Sequence, residues 1–420
     1  MNSELDYFKF YKTLPEKEAY ALLANQIPSL TTESTLREIK SAAAENHKNV
    51  VLITIESYSA DFMKLYGSDK NLTPFLDQLA SESLLFTNFY ASGNRTVRGL
   101  EAVTLCLPPT AGESVVKRKD NKDKFSTAHV FKQKGYNVKY LYGGDAFFDN
   151  MEDFFSGNGY DIVDKKTFTA DEITFDNIWG VCDEDMYNKA IKVMNEEAKE
   201  NKPFFNHIMT VSNHRPFTYP NNKIDIPGDA KSRDGGVKYT DYAMKKFFDM
   251  AKKQPWFANT IFVILADHCA SSAGKTELPV DKYRIPAMIY SPGFIQPQRY
   301  TKLVSQIDIM PTVFGLLNFN YQSKFFGQDV LKENYKPRAL IATYQDLGLI
   351  KDNILTIISP KQQVKQFQLT LLPKEGIEND FQLYYDQKPL DKERLDLVNE
   401  TISFYQTASD MLKKKKYQKN

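Results

Sequence analysis

Four short polar clusters each follow an apolar run, and together they hold the residue types of a metal-assisted nucleophilic site. Asn49-Val50-Val51-Leu52-Ile53-Thr54-Ile55 runs into Glu56, and Thr260-Ile261-Phe262-Val263-Ile264-Leu265-Ala266 runs into Asp267-His268. Between them lie Ser92-Gly93-Asn94-Arg95-Thr96 and Thr210-Val211-Ser212-Asn213-His214. Two carboxylates and an imidazole are a workable donor set for a divalent cation. A hydroxyl beside such a cation is an activated nucleophile.

Each cluster also has a plainer reading. Glu56 stands at a strand mouth or simply opens a surface loop; buried without a partner, its charge would be costly. Asp267-His268 shares one metal if the backbone turns sharply there, or is a capping Asp beside a structural His. Both clusters end the most apolar runs in the chain, so each supports the other. Thr96 precedes a helix-like stretch over 100–105, where backbone N–H groups and the positive end of the dipole favour a phosphate. Arg95 and Arg98 add charge for a phosphoryl or sulfuryl group; the alternative for Thr96 is an ordinary N-cap. His214, in Ser-Asn-His-Arg-Pro-Phe, suits a substrate phosphate or a leaving group, or is a surface histidine. His47 and His129 have no supporting context, and His207 inside a strand reads as structural.

Such residues need a scaffold that gathers them. Side chains at the ends of parallel strands converge on one edge of an open α/β sheet, where ligands bind. From 48 to about 335 the pattern alternates strand and helix. Strands are expected over 50–55, 84–90, 136–142, 204–210, 260–266 and 285–290. Helices are expected over 73–82, 126–134 (closed by Gly135), 183–199 (with Asp183 as the cap), 239–253 and 308–317 (with Pro311 in its first turn). This alternation predicts a mostly parallel central sheet flanked by helices. Residues 1–47 are polar and helix-prone, with Ala19, Leu22, Leu23 and Ile27 on one face, and read as a helical leader packed outside the core. From 336 to 420 short strands over 339–344, 353–359, 366–372 and 382–385 predict a small antiparallel α+β subdomain. It is closed by a docking helix over 391–412 with Leu395, Val398, Ile402, Tyr405 and Leu412 on one face. Lys413–Lys416 reads as a solvated end.

Composition narrows the function. With 420 residues the chain is long enough for a large α/β domain and an appendage. Lys+Arg number 54 against 53 Asp+Glu, a balance that argues against nucleic-acid binding as the main function while leaving room for a local basic patch. Three cysteines, Cys106, Cys182 and Cys269, are too few and scattered for a disulfide framework. No stretch approaches a membrane span and no leader reads as a signal peptide; the chain is either a cytosolic protein or the soluble portion of a longer one.

The order Asn49…Glu56-Ser57-Tyr58-Ser59-Ala60, Thr73-Pro74-Phe75-Leu76-Asp77, the run 86–90 with its Thr96 loop, Ser212-Asn213-His214-Arg215-Pro216-Phe217, Tyr239-Thr240-Asp241-Tyr242 and Ala266-Asp267-His268 resembles the sulfatase-like branch of the alkaline phosphatase superfamily. Within it the likeness is to the lipoteichoic acid synthase and phosphoglycerol transferase group. Ser92-Gly93-Asn94-Arg95-Thr96-Val97-Arg98-Gly99-Leu100-Glu101-Ala102, with Leu107-Pro108-Pro109-Thr110, is similar to its Gram-negative members. The resemblance covers about 48–320 and, more weakly, the two ends.

The resemblance implies that Glu56, Thr96, Asp267 and His268 hold one divalent metal, manganese or zinc, with magnesium a further candidate. It implies that Thr96 is the nucleophile of a covalent intermediate and that His214 contacts the head group. The donor would be a membrane phospholipid and the acceptor a glycan or lipid hydroxyl. The chain would then be the periplasmic catalytic part of an inner-membrane protein, anchored through an N-terminal transmembrane region that lies outside it, and Met1 an artificial start.

Three departures stand out. Gram-positive synthases carry an aromatic-Asn-Arg motif for the lipid phosphate where this chain reads Phe147-Phe148-Asp149-Asn150, so that contact lacks its arginine. Cys269 follows the Asp-His pair and is not read as a ligand. The Cys/Ser-x-Pro-x-Arg signature of true sulfatases is absent at Thr96, and threonine cannot yield the aldehyde that sulfate-ester hydrolysis uses. The alternatives are a metal-dependent phosphodiesterase or sulfatase-like hydrolase, with water as acceptor, and a non-catalytic binding domain on the same fold.

Overall fold

The computed structural model describes residues 5–30, 34–270 and 278–419; Met1 lies outside them. Its central sheet is built from β1 (Asn49–Ile55), β2 (Leu84–Phe86), β3 (Asn137–Tyr142), β4 (Asp161–Val163), β5 (Phe204–Met209), β6 (Thr260–Ala266), β7 (Ala287–Tyr290) and β8 (Gln298–Tyr300). The spatial order is β8-β2-β7-β6-β1-β5-β3-β4. Strands β6, β1, β5, β3 and β4 run parallel; β7 is the one antiparallel member, lying between β6 and β2. Strands β1 and β6 are buried at every position, which is why they read as unbroken apolar runs rather than alternating ones.

Around the sheet pack α1 (Glu16–Gln26), α2 (Pro74–Ser81), α3 (Thr96–Leu105), α4 (Thr127–Gln133), α5 (Asp183–Glu197), α6 (Arg233–Ala251), α7 (Ile309–Leu316) and α8 (Leu395–Lys413). A second sheet follows, a meander of β9 (Ala339–Ala342), β10 (Leu347–Lys351), β11 (Ile354–Ser359), β12 (Gln363–Leu371) and β13 (Tyr385–Pro389), antiparallel throughout. The architecture is thus the expected α/β fold with a small antiparallel sheet. Helix α8 ties the parts together. Its Tyr405 hydroxyl donates to the carbonyls of Ile341 and Gly348, and Asp410 accepts the Tyr20 hydroxyl of α1. Gln406 brackets Leu14, accepting its N–H and donating to its carbonyl. Tyr7, Tyr11, Tyr20, Leu23 and Ile27 therefore sit in the same apolar core as the central strands.

Several elements differ from the sequence reading. Helix α6 begins at Arg233 rather than Tyr239. Gly235 and Gly236 lower its local propensity, yet the Ser232 side chain caps it and the glycines leave room for Tyr219, Asn213 and Phe217. Asp183 is the first residue of α5, not its cap; its carboxylate accepts the N–H groups of Val211 and Ser212 at the end of β5. Strand β10 was not expected, because Gly348 interrupts its run; a Cβ there would come within 2.7 Å of Leu278 Cδ1. The last strand lies at 385–389 rather than 382–385, and its Pro389 is tolerated because β13 is a sheet edge. Leu395 is exposed, whereas Val398, Ile402, Tyr405 and Leu412 are buried as expected.

His207, in the middle of β5, is a structural residue. Its Nε2 shares a 2.9 Å hydrogen bond with Thr54 Oγ1, and the rings of Tyr140 and Phe155 stand edge-on to it. Burial holds its pKa far below the ordinary 6.5, at about 3. Above pH 6.5 the ring is neutral in folded and unfolded chains alike; as the pH falls toward 3, only the unfolded chain takes up the proton, so stability is lost. Relative to His207→Gln, the natural chain should lose about 2–3 kcal/mol more stability between pH 7 and pH 4.5. Urea unfolding of both proteins at the two pH values measures this, and equal losses would refute it.

Candidate active site

The parallel register of β1 and β6 sets Ile55 opposite Ala266, so the residues that follow, Glu56 and Asp267, leave the sheet side by side. The chain then turns sharply at Ser57, which takes a left-handed φ of 50°. This turn is what brings two acids and an imidazole together. The Ser57 N–H donates to Asp267 Oδ1 at 2.8 Å, and the His268 N–H donates to the same oxygen at 2.7 Å. The Ser57 hydroxyl donates to Glu56 Oε1 at 2.6 Å. Asn213 Nδ2 donates to the carbonyls of Glu56 and Ser57, holding the turn from the β5 side.

Two outer contacts fix this arrangement. Gln306 Nε2 donates to the carbonyls of Ala266 and Asp267, while its Oε1 accepts the Ser92 N–H at 2.9 Å, linking the acid turn to the Thr96 loop. Gly99 lets α3 press on the Asp267 backbone; a Cβ there would stand 2.4 Å from the Asp267 carbonyl oxygen.

Thr96 is the first residue of α3, and Arg95 is its N-cap without a side-chain cap bond. The Thr96 hydroxyl is not spent on capping. It donates to Glu56 Oε2 at 3.1 Å. Ligand atoms of Glu56, Asp267 and His268 all lie within 4.8 Å of one another.

The donor set fits a divalent cation. Asp267 Oδ2 is buried with no hydrogen-bond partner. His268 Nδ1 is 2.7 Å from the Cys269 carbonyl, which makes Nδ1 the protonated nitrogen and leaves the Nε2 lone pair facing the acids, 3.5 Å from Asp267 Oδ2. Burial and the Glu56 charge push the Asp267 carboxyl well above its ordinary value, and burial pushes the His268 imidazole below its own. A buried acid that retains its proton beside an ionised one, and an imidazole that sheds its own, describe a place that a cation would suit.

The cleft over this cluster has a volume of about 330 Å³. Arg95, Thr96, His214, Arg215, Arg233 and Trp179 are among its walls. His214 lies against Trp179, ring centroids 3.7 Å apart and planes tilted by 40°, and its Nδ1 lies 3.0 Å from the Arg215 carbonyl. A larger cavity of about 620 Å³ opens beside it across Asn94, Arg95, Phe148 and Asp149, but none of Glu56, Thr96 and His268 lines it. The acid–imidazole cluster therefore opens into the smaller space.

The structure brings six of the seven expected site residues to one place: Glu56, Thr96, Asp267, His268, Arg95 and His214. Arg98 is the exception. Its guanidinium is buried, paired with Glu101 at 3.0 Å and donated to the carbonyls of Thr110 and Gly112, so it cannot reach a ligand in this cleft. Three residues past the N-cap Arg95, the side chain points into the body and not into the cleft. Cys269 is also turned away, its thiol donating to the Arg284 carbonyl. In Phe147-Phe148-Asp149-Asn150, Asp149 pairs with Lys117 at 2.8 Å and Asn150 Nδ2 donates to the Val116 carbonyl.

Sequence reasoning missed Ser57, Asn213, Arg215, Trp179 and Arg233. Three of these adjoin residues it had marked; nothing in Lys231-Ser232-Arg233-Asp234 singled out Arg233. That guanidinium lies over the Phe217 ring at 4.3 Å and donates through Nη2 to the Ala270 carbonyl, while Nη1 is buried without a partner. Burial lowers its pKa, against the opposing Glu56 charge.

Comparison with known proteins agrees with this fold. The sulfatase family model matches residues 48–319. A crystal structure of a Vibrio parahaemolyticus protein in the alkaline phosphatase superfamily superposes with a TM-score of 0.88 at 33% identity, covering 97% of this chain and 98% of that one. The lipoteichoic acid synthase LtaP of Listeria monocytogenes shares the fold, with a TM-score of 0.69 at 21% identity over 95% of this chain and 98% of that one. In sequence, lipoteichoic acid synthase 2 of Bacillus subtilis is 24% identical over 315 residues, 69% of this chain and 48% of that protein. The chain spans about half the length of the curated relatives it matches.

Adding Mn²⁺ or Zn²⁺ to metal-stripped protein should raise its melting temperature by a few degrees, since a ligand at a hundredfold excess over Kd stabilises by about 2.7 kcal/mol. Asp267→Asn keeps the shape of the side chain and should abolish the shift. Thermal denaturation with and without metal tests this; a shift that survives the substitution would place the cation elsewhere.

Proposed function

The chain belongs to the sulfatase family of the alkaline phosphatase superfamily, and we propose that it is a metal-dependent transferase. It moves a phosphoglycerol-type head group from a membrane phospholipid to a hydroxyl acceptor, a glycan or a lipid. The observation that carries this reading is the Thr96 hydroxyl held on Glu56, itself one of three clustered candidate ligands. A surface or capping threonine has no such partner.

Glu56, Asp267, His268 and Thr96 would hold one divalent cation, manganese, zinc or magnesium, whose chemistry there is to acidify the hydroxyl and draw charge from a phosphate oxygen. The chain's own groups do the rest. Glu56 orients the Thr96 hydroxyl and takes its hydrogen bond. Thr96 Oγ forms a bond to phosphorus and passes its proton to Glu56, while the bond from phosphorus to the diacylglycerol oxygen breaks and that oxygen takes a proton from His214; the proton on Glu56 returns to Thr96 Oγ when the acceptor displaces it. Arg95 and Arg233 supply positive charge to the phosphate, in place of the arginine absent at Asn150. His214, with Nδ1 against the Arg215 carbonyl, presents Nε2 to the incoming acceptor hydroxyl and takes its proton as that oxygen displaces Thr96. The reading also places the chain as the periplasmic catalytic part of an inner-membrane protein. Among the described residues no helix is long and apolar enough to cross a membrane.

Incubated with Mn²⁺ and phosphatidylglycerol or phosphatidylethanolamine, the intact protein should gain the mass of one head-group phosphate ester, and the donor that labels it names the group. Thr96→Ala should take up metal, remain unlabelled and be inactive. An active Thr96→Ala protein would end the proposal, and release of free phosphoglycerol alone, with acceptor present, would make the enzyme a hydrolase.

Arg233→Gln tests the phosphate contact separately. Loss of a charged hydrogen bond of about 1.5–3 kcal/mol should cut kcat/KM by roughly 10- to 100-fold, with metal uptake unchanged. Steady-state kinetics beside metal titration distinguishes this from collapse of the site; unaltered kcat/KM removes Arg233 from the mechanism.

A further inference from the structure

Three large apolar side chains stand exposed together at the mouth of the cleft. Phe147 is 79% exposed, Phe148 49% and Ile178 84%. The Phe148 ring stands edge-on to Trp179 at 5.3 Å, and Trp179 lies in turn against His214. Ile178 and Trp179 form the two-residue tip of a hairpin between Asp176–Asn177 and Gly180–Val181. Such tips normally carry Asn, Asp or Gly, and an isoleucine this exposed packs on little of its own chain. The tip is also held in place: the Trp179 indole N–H donates to the Arg215 carbonyl, and the Val181 N–H donates to the Gly143 carbonyl at 2.9 Å.

The acidic side chains around this patch are paired. Asp149 is paired with Lys117, Asp176 with Lys165, and Asp145 with Lys166. Arg95 and Arg215, both exposed and both walls of the cleft, have no carboxylate at salt-bridge distance among the described residues. What remains is an apolar rim beside two exposed guanidinium groups, Arg95 and Arg215. That combination fits the interface of a bilayer containing anionic phospholipid, where aromatic rings settle at head-group depth and cations meet phosphate. An apolar patch at a cleft mouth marks an interaction site rather than bare surface.

We propose that this rim is a membrane-docking surface: Phe147, Phe148 and Ile178 enter the interfacial layer of an anionic bilayer and set the cleft against its head groups. The inference rests on the reading that the donor is a membrane phospholipid, and it adds which residues meet that membrane.

The chain has two tryptophans. Trp256 is 4% exposed, far from a surface role. A Trp256→Phe protein therefore reports from Trp179 alone. With metal bound, it is mixed with phosphatidylcholine vesicles, with and without phosphatidylglycerol, whose acyl chains are brominated near the head group. Trp179 emission should shift to the blue and be quenched by the vesicles with phosphatidylglycerol. Phe147→Ser/Ile178→Ser should weaken vesicle partitioning about tenfold or more, the scale of withdrawing two large apolar side chains. The same double variant should still form the Thr96 ester from a short-chain phosphatidylglycerol held below its micelle concentration.

Absence of quenching, or partitioning unchanged in the double variant, while the short-chain donor still reacts, would overturn the docking surface and leave the transferase reading standing. Quenching without any reaction of the short-chain donor would support the docking surface and count against the transferase. A concentration-dependent dimer in sedimentation velocity, dissolved by the double substitution and indifferent to vesicles, would assign the rim to a second copy of the chain and overturn the proposal.

Discussion

Two buried carboxylates side by side, with too little positive charge from the chain to balance them, are the constraint on which the rest of the structure depends. Glu56 and Asp267 are 4% and 0% exposed. Their closeness is not a chance meeting of loops. It follows from the parallel register of β1 and β6, both buried at every position, and so from the apolar patterning of the core itself. Like charges in low dielectric repel strongly. Backbone N–H groups satisfy Asp267 Oδ1, and hydroxyls of Ser57 and Thr96 satisfy Glu56, but Asp267 Oδ2 is left over. A fold that places an acid there without a partner has either a proton or a cation to hold.

The same constraint explains features that look unrelated to chemistry. Gly99 is glycine because α3 must come against the Asp267 backbone to deliver Thr96. Arg98 lies one turn inside that helix and carries a different load. With Glu101 it forms a buried ion pair that also reaches the carbonyls of Thr110 and Gly112, the Ser114 hydroxyl and the Val115 N–H. Removing one partner of such a pair strands the other charge. Arg98 therefore fixes the helix that carries the nucleophile, whereas Arg95, its neighbour on the exposed side, is left for the cleft. Two arginines three residues apart in sequence thus serve separate ends, and helical geometry decides which is which.

This division shows what a sequence can and cannot reveal. Glu56, Asp267 and His268 were legible because each ends an apolar run long enough to be a buried strand, and the run points to the sheet edge. Thr96 was legible as a hydroxyl at a helix start, although whether it capped that helix was not. Arg98 was misplaced because spacing gives the phase of a helix only when its first residue is known. Arg233 was invisible: it reaches the cleft from the start of α6, a helix whose opening turn is disguised by Gly235 and Gly236. Strand β10 was missed for the same reason, a glycine required by packing against Leu278 where propensity argues against one. In each case tertiary contact overrode the local signal.

The size of the cleft bears on how a lipid substrate could be handled. A space of about 330 Å³ over the acid cluster suits a phosphate and a small polar group, not two acyl chains. On the proposed reading the bond that breaks joins the part that enters to the part that cannot. The diacylglycerol half must then stay outside the mouth, against whatever borders it, while the phosphate is drawn past Arg95 toward Thr96. The walls are graded accordingly: Glu56 and His268 buried at the floor, Arg233 and Trp179 half-buried, and Arg95, Arg215 and Phe148 exposed. A polar floor under an apolar rim is the order of groups along a phospholipid itself, read from phosphate to hydrocarbon. Complementarity of that kind orients a donor before any group reacts, which is where positioning contributes to rate.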